Sequence, residues 1–287
     1  MSYASIFRPG LFDGQVAIVT GGGSGIGRCT AHELASLGAT VALVGRKPEK
    51  LEAVRAEIEE DGGRAACWSL DIRVEEAVEE AIAGILDRFG RIDGLVNNAG
   101  GQFPAPLAAI NQKGWDAVVR TNLTGGFLMA RACYNRWMAA NGGAIVNIVA
   151  DMWMGMPGMG HSGAARAGMV NFTETAALEW GPSGVRVNAV APGWIASSGL
   201  DQYPPAMRET IRGLAKAVPL GRLGTEAEIS AAICFLLSPA AAFVSGATLR
   251  VDGAAPNVKG HWPLPDHAPA PAYDGFHRAA PPAVLED

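Results

Sequence analysis

Short runs of aliphatic and β-branched residues recur along the chain, and segments apolar at helical spacing lie between them. The runs are VAIVT (Val16–Thr20), TVALVG (Thr40–Gly45), AACWSL (Ala65–Leu70), GLVNN (Gly94–Asn98), AIVNIV (Ala144–Val149), VRVNAVA (Val185–Ala191) and TLRVD (Thr248–Asp252), seven strand candidates in all. KPEKLEAVRAEIEED and RVEEAVEEAIAGILDRF place apolar residues on one helical face and charges on the other. Strands apolar on both faces and separated by helices predict a parallel sheet covered on both sides. No break in composition precedes residue 253, so residues 1–253 are expected to form one doubly wound α/β domain.

Two segments leave the alternation. Residues 195–225 form a long insertion containing Tyr203, Pro204, Pro205 and the helical AMRETIRGLAKA. It follows the C-terminal end of a strand, where open α/β sheets bind ligands, so a substrate lid is expected. A loop without function is the competing reading. The tail, residues 254–287, holds seven prolines and three of the five histidines, which predicts a loosely ordered extension and not a second domain. The irregular spacing of His261, His267 and His277 argues against metal ligation.

Composition narrows the partners. The 287 residues are 49% hydrophobic and 18% charged, enough to bury a sizeable core. A net charge of −5 gives no electrostatic reason to expect a nucleic acid or an anionic membrane. No apolar run is long enough to span a bilayer, and the N-terminus lacks the pattern of a secretory signal. Cys29, Cys67, Cys133 and Cys234 are scattered without CxxC spacing, as suits reduced thiols in a cytoplasmic protein without a bound metal.

The first strand runs into TGGGSGIG and then an amphipathic helix. Gly21, Gly25 and Gly27, with Ser24 and Ile26 between them, have the spacing that lets a backbone turn approach a pyrophosphate at a helix N-terminus. In that strand–turn–helix context the motif predicts a Rossmann-type dinucleotide site. After the second strand, where an NAD site usually carries an acidic residue, stand Arg46 and Lys47. Two cations there would attract a 2′-phosphate, so NADPH is the expected cofactor.

TGGGSGIG, LDI after the third strand, NNAG (Asn97–Gly100), TNLTG around Asn122 and VAPGWI (Val190–Ile195) resemble the short-chain dehydrogenase/reductase family over residues 11–253. The resemblance implies that Asp71 and Ile72 flank the adenine, that Asn98, Ala99 and Gly100 support the ribose side, and that Pro192, Gly193 and Ile195 frame the nicotinamide. It also makes Asn122 the active-site Asn and implies a homotetramer. The interface would draw on GGFLMARACYNRWMAA and on the small residues of a helix beginning near Gly163, which would equally suit packing on the sheet.

One part of the pattern is absent. Most members use a Ser, a Tyr and a Lys to move a proton onto or off a carbonyl oxygen. Here Val149 stands at the Ser place, Ser162 at the Tyr place and Arg166 at the Lys place. An aliphatic hydroxyl is a far weaker acid than a phenol, and Arg166 can bind ribose hydroxyls but is a poor proton carrier. NNAGGQF, TNLTGGF, HSGAARAG and PDH in the tail are similar to peroxisomal trans-2-enoyl-CoA reductases, with the 2,4-dienoyl-CoA reductases as near relatives. That likeness implies NADPH-dependent reduction of a carbon–carbon double bond in a fatty acyl-CoA, for which hydrogen-bond donors to an enolate oxygen suffice.

On this reading Asn122, Ser162, Arg166 and Asp151 are the candidate catalytic residues. Ser162 donates to the thioester oxygen, while Arg166 and Asn122 hold the cofactor ribose and the active-site water or oxyanion. Asp151, His161 or Tyr203 supplies the proton, with packing the alternative for the last two. Met152, Trp153, Met154, Met156 and Met159 form an apolar run that could line an acyl channel or simply pack against the lid. A carbonyl or alcohol oxidoreductase with a rearranged relay, on a terpenoid or acyl substrate, and a non-catalytic NADP(H)-binding protein stay open.

Overall fold

Each strand of the sheet is apolar on both faces, and helices cover it accordingly. A computed structural model of the protein describes residues 2–259, 261 and 264–286. The strands β1 (Val16–Thr20), β2 (Thr40–Gly45), β3 (Arg64–Ser69), β4 (Gly94–Asn97), β5 (Gly143–Ile148), β6 (Val185–Pro192) and β7 (Thr248–Val251) are all parallel, in the order β3-β2-β1-β4-β5-β6-β7. This is the expected doubly wound, Rossmann-like sheet, with strand ends within a residue of the sequence reading. Neighbouring strand residues alternate between two cores. Val19, Val96 and Val146 face one side, while Ile18, Leu95 and Ile145 face the other.

Helices α1 (Gly25–Ser36), α2 (Pro48–Glu60) and α9 (Glu226–Leu237) close the first side through Leu34, Leu51, Ile58, Ile229 and Ile233. The second side is covered by α3 (Glu75–Phe89) and α7 (Gly160–Trp180), and by a helix from Gln112 to Asn141. In that helix α4 (Gln112–Val119), α5 (Gly125–Cys133) and α6 (Ala139–Asn141) are joined by π turns at Arg120–Thr124 and Tyr134–Met138. Small residues of α7 serve this internal packing. A Cβ at Gly168 would come within 3.0 Å of Leu123, and one at Gly163 within 2.9 Å of Met156.

A buried polar chain fixes α7 to the sheet. Asn97 Nδ2 donates to Asn147 Oδ1 at 2.9 Å, Asn147 Nδ2 donates to Thr173 Oγ1 at 2.9 Å, and Thr173 Oγ1 donates to Met169 O at 2.8 Å. All three side chains are sealed from solvent, so each bond replaces hydration that burial removed.

Two segments differ from expectation. In the lid only α8 (Arg208–Gly213) is α-helical, between short 3₁₀ turns at Leu200–Gln202, Pro205–Met207 and Leu214–Ala217. Gly213, within AMRETIRGLAKA, weakens any longer helix. The tail, expected to be loosely ordered, is a strap over the domain. Phe276 is buried with Tyr3, Cys29 and Ala227, and Arg278 pairs with Asp61 and Glu60. Arg222 also donates to the carbonyls of Ala270 and Pro271. The proline-rich composition hid these few strong anchors.

Because the Asn147 amide links the sheet to α7, Asn147→Ala should remove one buried hydrogen bond each from Asn97 and Thr173, which keep only Gly126 O and Met169 O. We expect a loss of about 2–4 kcal/mol, read as a lower urea midpoint at constant m. An unchanged midpoint would mean that the chain contributes nothing to anchoring the helix.

Candidate active site

A parallel sheet puts the C-terminal ends of its strands along one rim, and the predicted site residues follow those ends. Gly21–Gly27 follow β1, Arg46 and Lys47 follow β2, Asp71 and Ile72 follow β3, and Asn98–Gly100 follow β4. Asp151 lies beyond β5, and Gly193 and Ile195 follow the β6 terminal residue Pro192. Strand order reverses between β1 and β4, which opens the crevice where such sheets take ligands.

The turn after β1 fits a pyrophosphate. Gly21 and Gly25 have φ of +66° and +57°, and a Cβ at Gly27 would overlap Gly21 O and Asn98 Nδ2. Ser24 stands at the N-cap of α1 but its side chain makes no capping bond among the described residues, so the first-turn N–H groups stay available. Helix α9 contrasts with it. There Thr225 and Glu228 cap the N-terminus reciprocally, at 3.2 and 2.9 Å. Arg46 and Lys47 are exposed where α2 begins. Asp71 is gripped by the Arg73 guanidinium, which holds its carboxyl down at about 2, and Ile72 packs on Gly125. Gly193 donates to Val251 O, and a Cβ there would come within 2.7 Å of Asp252; Ile195 bridges to Gly224.

Across the crevice, Thr20 Oγ1 accepts from the backbone N–H groups of Asn98 and Ala99, at 3.0 and 2.9 Å, and donates to Val96 O at 3.2 Å. Asn98 Nδ2 returns a bond to Thr20 O at 2.9 Å. The chain then meets Asn122, which a π turn of the long helix carries inward. Its Oδ1 accepts from Gly101 N–H at 2.9 Å and its Nδ2 donates to Gly101 O at 2.8 Å. Asn122 therefore clamps the turn after β4. Arg166 lies beside it. A Cβ at Gly100 would come within 2.5 Å of its Nη2, and its Nη1 donates to Ile148 O. Burial pushes this guanidinium down to about 10, and its Nε is sealed with no partner among the described residues.

Ser162, one turn before Arg166 on α7, is also sealed. Its Oγ donates to Gln102 Oε1 at 2.7 Å, and Gln102 Nε2 donates to the Tyr203 hydroxyl of the lid at 2.8 Å. Tyr203 also touches Met159 Sδ at 3.9 Å. The Ser162, Arg166 and Asn122 region is thus brought together, with the lid closing over it through Gln102. Nothing in the local sequence pattern marked Gln102, since its role depends on where Ser162 and Tyr203 arrive. Asp151 is half-buried, and desolvation raises its carboxyl above the ordinary range against the opposing pull of Arg250 and a Trp153 N–H. Its Oδ1 has no hydrogen-bond partner among the described residues. His161 is buried edge-on against Phe103 at 4.5 Å, and its Nδ1 accepts from Ser162 N–H. Of the apolar run, Met159 is buried, whereas Trp153 and Met154 are exposed.

Residues 21–254 match the family model described as enoyl-(acyl carrier protein) reductase. Rattus norvegicus peroxisomal 2,4-dienoyl-CoA reductase [(3E)-enoyl-CoA-producing] is 38% identical over 255 residues, covering 88% of this chain and 87% of that protein. The chain belongs to the short-chain dehydrogenase/reductase family. It is an oxidoreductase of that family, whose members use a nicotinamide cofactor.

Within the short-chain dehydrogenases/reductases the likeness is broad. A 3-oxoacyl-[acyl-carrier-protein] reductase of Synechocystis is 40% identical over 245 residues, 83% of this chain and 96% of that one. The solved structure of citronellol catabolism dehydrogenase (AtuB) of Pseudomonas aeruginosa PAO1 is 64% identical, with a TM-score of 0.80 over 88% of this chain and 99% of that chain. All four cysteines are free thiols. Among the described residues no helix is long and apolar enough to cross a membrane, and no cluster of His, Cys, Asp and Glu is placed to hold a metal.

The close approach at Gly27 yields a direct test of the cradle. Gly27→Ala should weaken dinucleotide binding at least roughly tenfold, ~1.4 kcal/mol, by fluorescence titration. Affinity equal to that of the parent would place the cofactor elsewhere.

Proposed function

We propose that this enzyme uses NADPH to reduce a carbon–carbon double bond conjugated to a fatty acyl-CoA carbonyl. The observation that carries the reading is the replacement of the family's proton relay. A sealed Ser162 hydroxyl and the Arg166 guanidinium stand where a phenol and an ammonium would move a proton on oxygen. With its pyrophosphate held at the glycine-rich turn, the cofactor would supply the hydride from its nicotinamide.

The chain's own residues do the rest. Arg46 and Lys47 bind the 2′-phosphate, Asp71 and Ile72 flank the adenine, and Asn98, Ala99 and Gly100 form the ribose wall with Arg166. Pro192, Gly193 and Ile195 frame the ring. Hydride addition at the far end of the conjugated system leaves an enolate, whose oxygen accepts hydrogen bonds from the Ser162 hydroxyl and the Gln102 amide once these turn from Gln102 Oε1 and the Tyr203 hydroxyl, their partners in the free enzyme. Asn122 keeps Gln102 in place by holding Gly101. The Asp151 carboxyl, with its raised pKa, delivers the proton to carbon directly or through water, so one hydride and one proton saturate the bond.

A second reading rests on the 64% identity to the citronellol catabolism dehydrogenase. It makes the substrate a branched isoprenoid, either as an alcohol and aldehyde pair or as its acyl thioester. NADPH oxidation with straight-chain and branched enoyl-CoA, dienoyl-CoA and ketoacyl-CoA, beside citronellol with NADP⁺, separates the readings. Turnover of the enoyl or dienoyl thioesters supports the proposal, whereas activity confined to the alcohol or the ketoacyl thioester rejects it. A protein that binds NADPH and never oxidises it would be a sensor.

Two predictions follow from the residue roles. Arg46→Ala should cost NADPH roughly 1.5–3 kcal/mol of binding and leave NADH almost untouched. Equal weakening of both cofactors would show that Arg46 does not read the phosphate. For Asp151, the acid form is the active one and burial extends it upward in pH. The wild-type kcat should fall as pH rises through a value above the ordinary carboxylate range. In Asp151→Asn that limb should vanish and kcat should drop about 10²-fold; a mutant profile with the limb intact assigns the proton to another group.

A further inference from the structure

The last described residues of the chain reach the lid. Val284 is buried against Leu200 and Ile211, with Tyr203, Met207, Leu214 and Leu285 packed around them. Its N–H donates to Asp201 Oδ1 at 2.9 Å, and its carbonyl accepts from Arg212 Nε at 3.0 Å. Arg212 also donates to Glu286 O. Both flanks of the lid, the turn at Leu200–Gln202 and α8, are thus joined through one residue of the strap.

We propose that the C-terminal strap positions the substrate lid, with Val284 as the seating residue and Asp201 and Arg212 as its receivers. The proposal rests on the reading of this site as one that takes an acyl substrate beneath the lid. A six-residue helix and three short turns cannot hold their own conformation in water, so their order must come from packing. Val284 supplies it from outside the lid.

The strap can do this because it is tethered close by. Arg278 is locked on Asp61 and Glu60 at the end of α2, and its carbonyl accepts from Arg28 Nη1 at 3.3 Å. From Arg278 to Val284 the chain can span at most about 20 Å, and Pro281 and Pro282 stiffen it. A short, stiff link from a fixed anchor delivers Val284 to one place. On its inner face the same lid presents Tyr203 to Gln102, which holds the Ser162 hydroxyl. Seating the strap therefore acts on the acyl side of the site and leaves the glycine-rich turn alone.

The test uses the full chain with Val284→Asp, Asp201→Ala and Asp201→Asn. The first two should speed amide hydrogen exchange over residues 200–217 and raise KM for the acyl substrate about tenfold, while NADPH affinity and Tm stay at the parent values. Asp201→Asn keeps an acceptor for the Val284 N–H and should restore both readouts. Unchanged lid exchange in Val284→Asp and Asp201→Ala would overturn the proposal, as would an Asp201→Asn variant as impaired as Asp201→Ala. Exchange is measured without substrate, so it decides the strap's role even if the wild-type enzyme fails on every enoyl thioester, a result that would sink only the functional reading.

Discussion

One hydroxyl sits at the point where the sheet changes direction. Thr20 Oγ1 accepts two backbone N–H groups from the segment after β4 and donates to the Val96 carbonyl of that strand, so the two sides of the crevice are bonded to each other. Burial gives these bonds their value, since Thr20 is fully sealed and an unpaired N–H there would cost about 1–3 kcal/mol. Everything further along the rim hangs from this contact. Asn98 and Ala99 set Gly100 and Gly101, Gly101 is clamped by Asn122, and Gly100 lies against Arg166. The next residue, Gln102, then reaches Ser162. The proposed cofactor cradle and reactive centre are two ends of one run of linked residues.

That continuity explains how a family scaffold can lose its usual proton relay and stay an enzyme. In the proposed scheme the glycine-rich turn and the backbone after β4 hold the cofactor, and the changes at Val149 and Ser162 leave them intact while Arg166 keeps a donor beside Gly100. What changes is the chemistry those positions allow. A guanidinium pushed down only to about 10 stays charged near neutral pH, where it offers hydrogen bonds more readily than a proton. A desolvated carboxyl shifts upward, toward the range in which proton delivery to carbon is useful. Both shifts suit the proposed reaction, in which oxygen needs hydrogen bonds and carbon needs the proton.

Much of the fold was legible in the sequence because burial on both faces writes a continuous apolar run into each strand, and glycine is called for at Gly21 and Gly27, where a side chain would collide, and at Gly25 by its positive φ. The parts that were not legible depend on distance in space. Gln102 looks like any polar loop residue until Ser162 and Tyr203 are placed on either side of it. Asn122 was expected to hold cofactor ribose, water or an oxyanion, but whether its amide faces a ligand or the Gly101 backbone is set by a π turn that no residue pattern announces. The tail reads as loosely ordered because seven prolines dominate its composition, whereas Phe276, Arg278, Val284 and the bonds from Arg222 to Ala270 and Pro271 fasten it.

The central claim is that hydride goes to carbon in a conjugated thioester and not to a carbonyl. It is tested most directly by following the label from NADPH carrying deuterium at the transferred position, with an enoyl-CoA substrate and mass and NMR analysis of the product. The account predicts a saturated acyl thioester bearing one deuterium at the β-carbon and a solvent-derived proton at the α-carbon. Deuterium found only on a carbinol carbon, from a ketoacyl or aldehyde substrate offered in the same mixture, would contradict it.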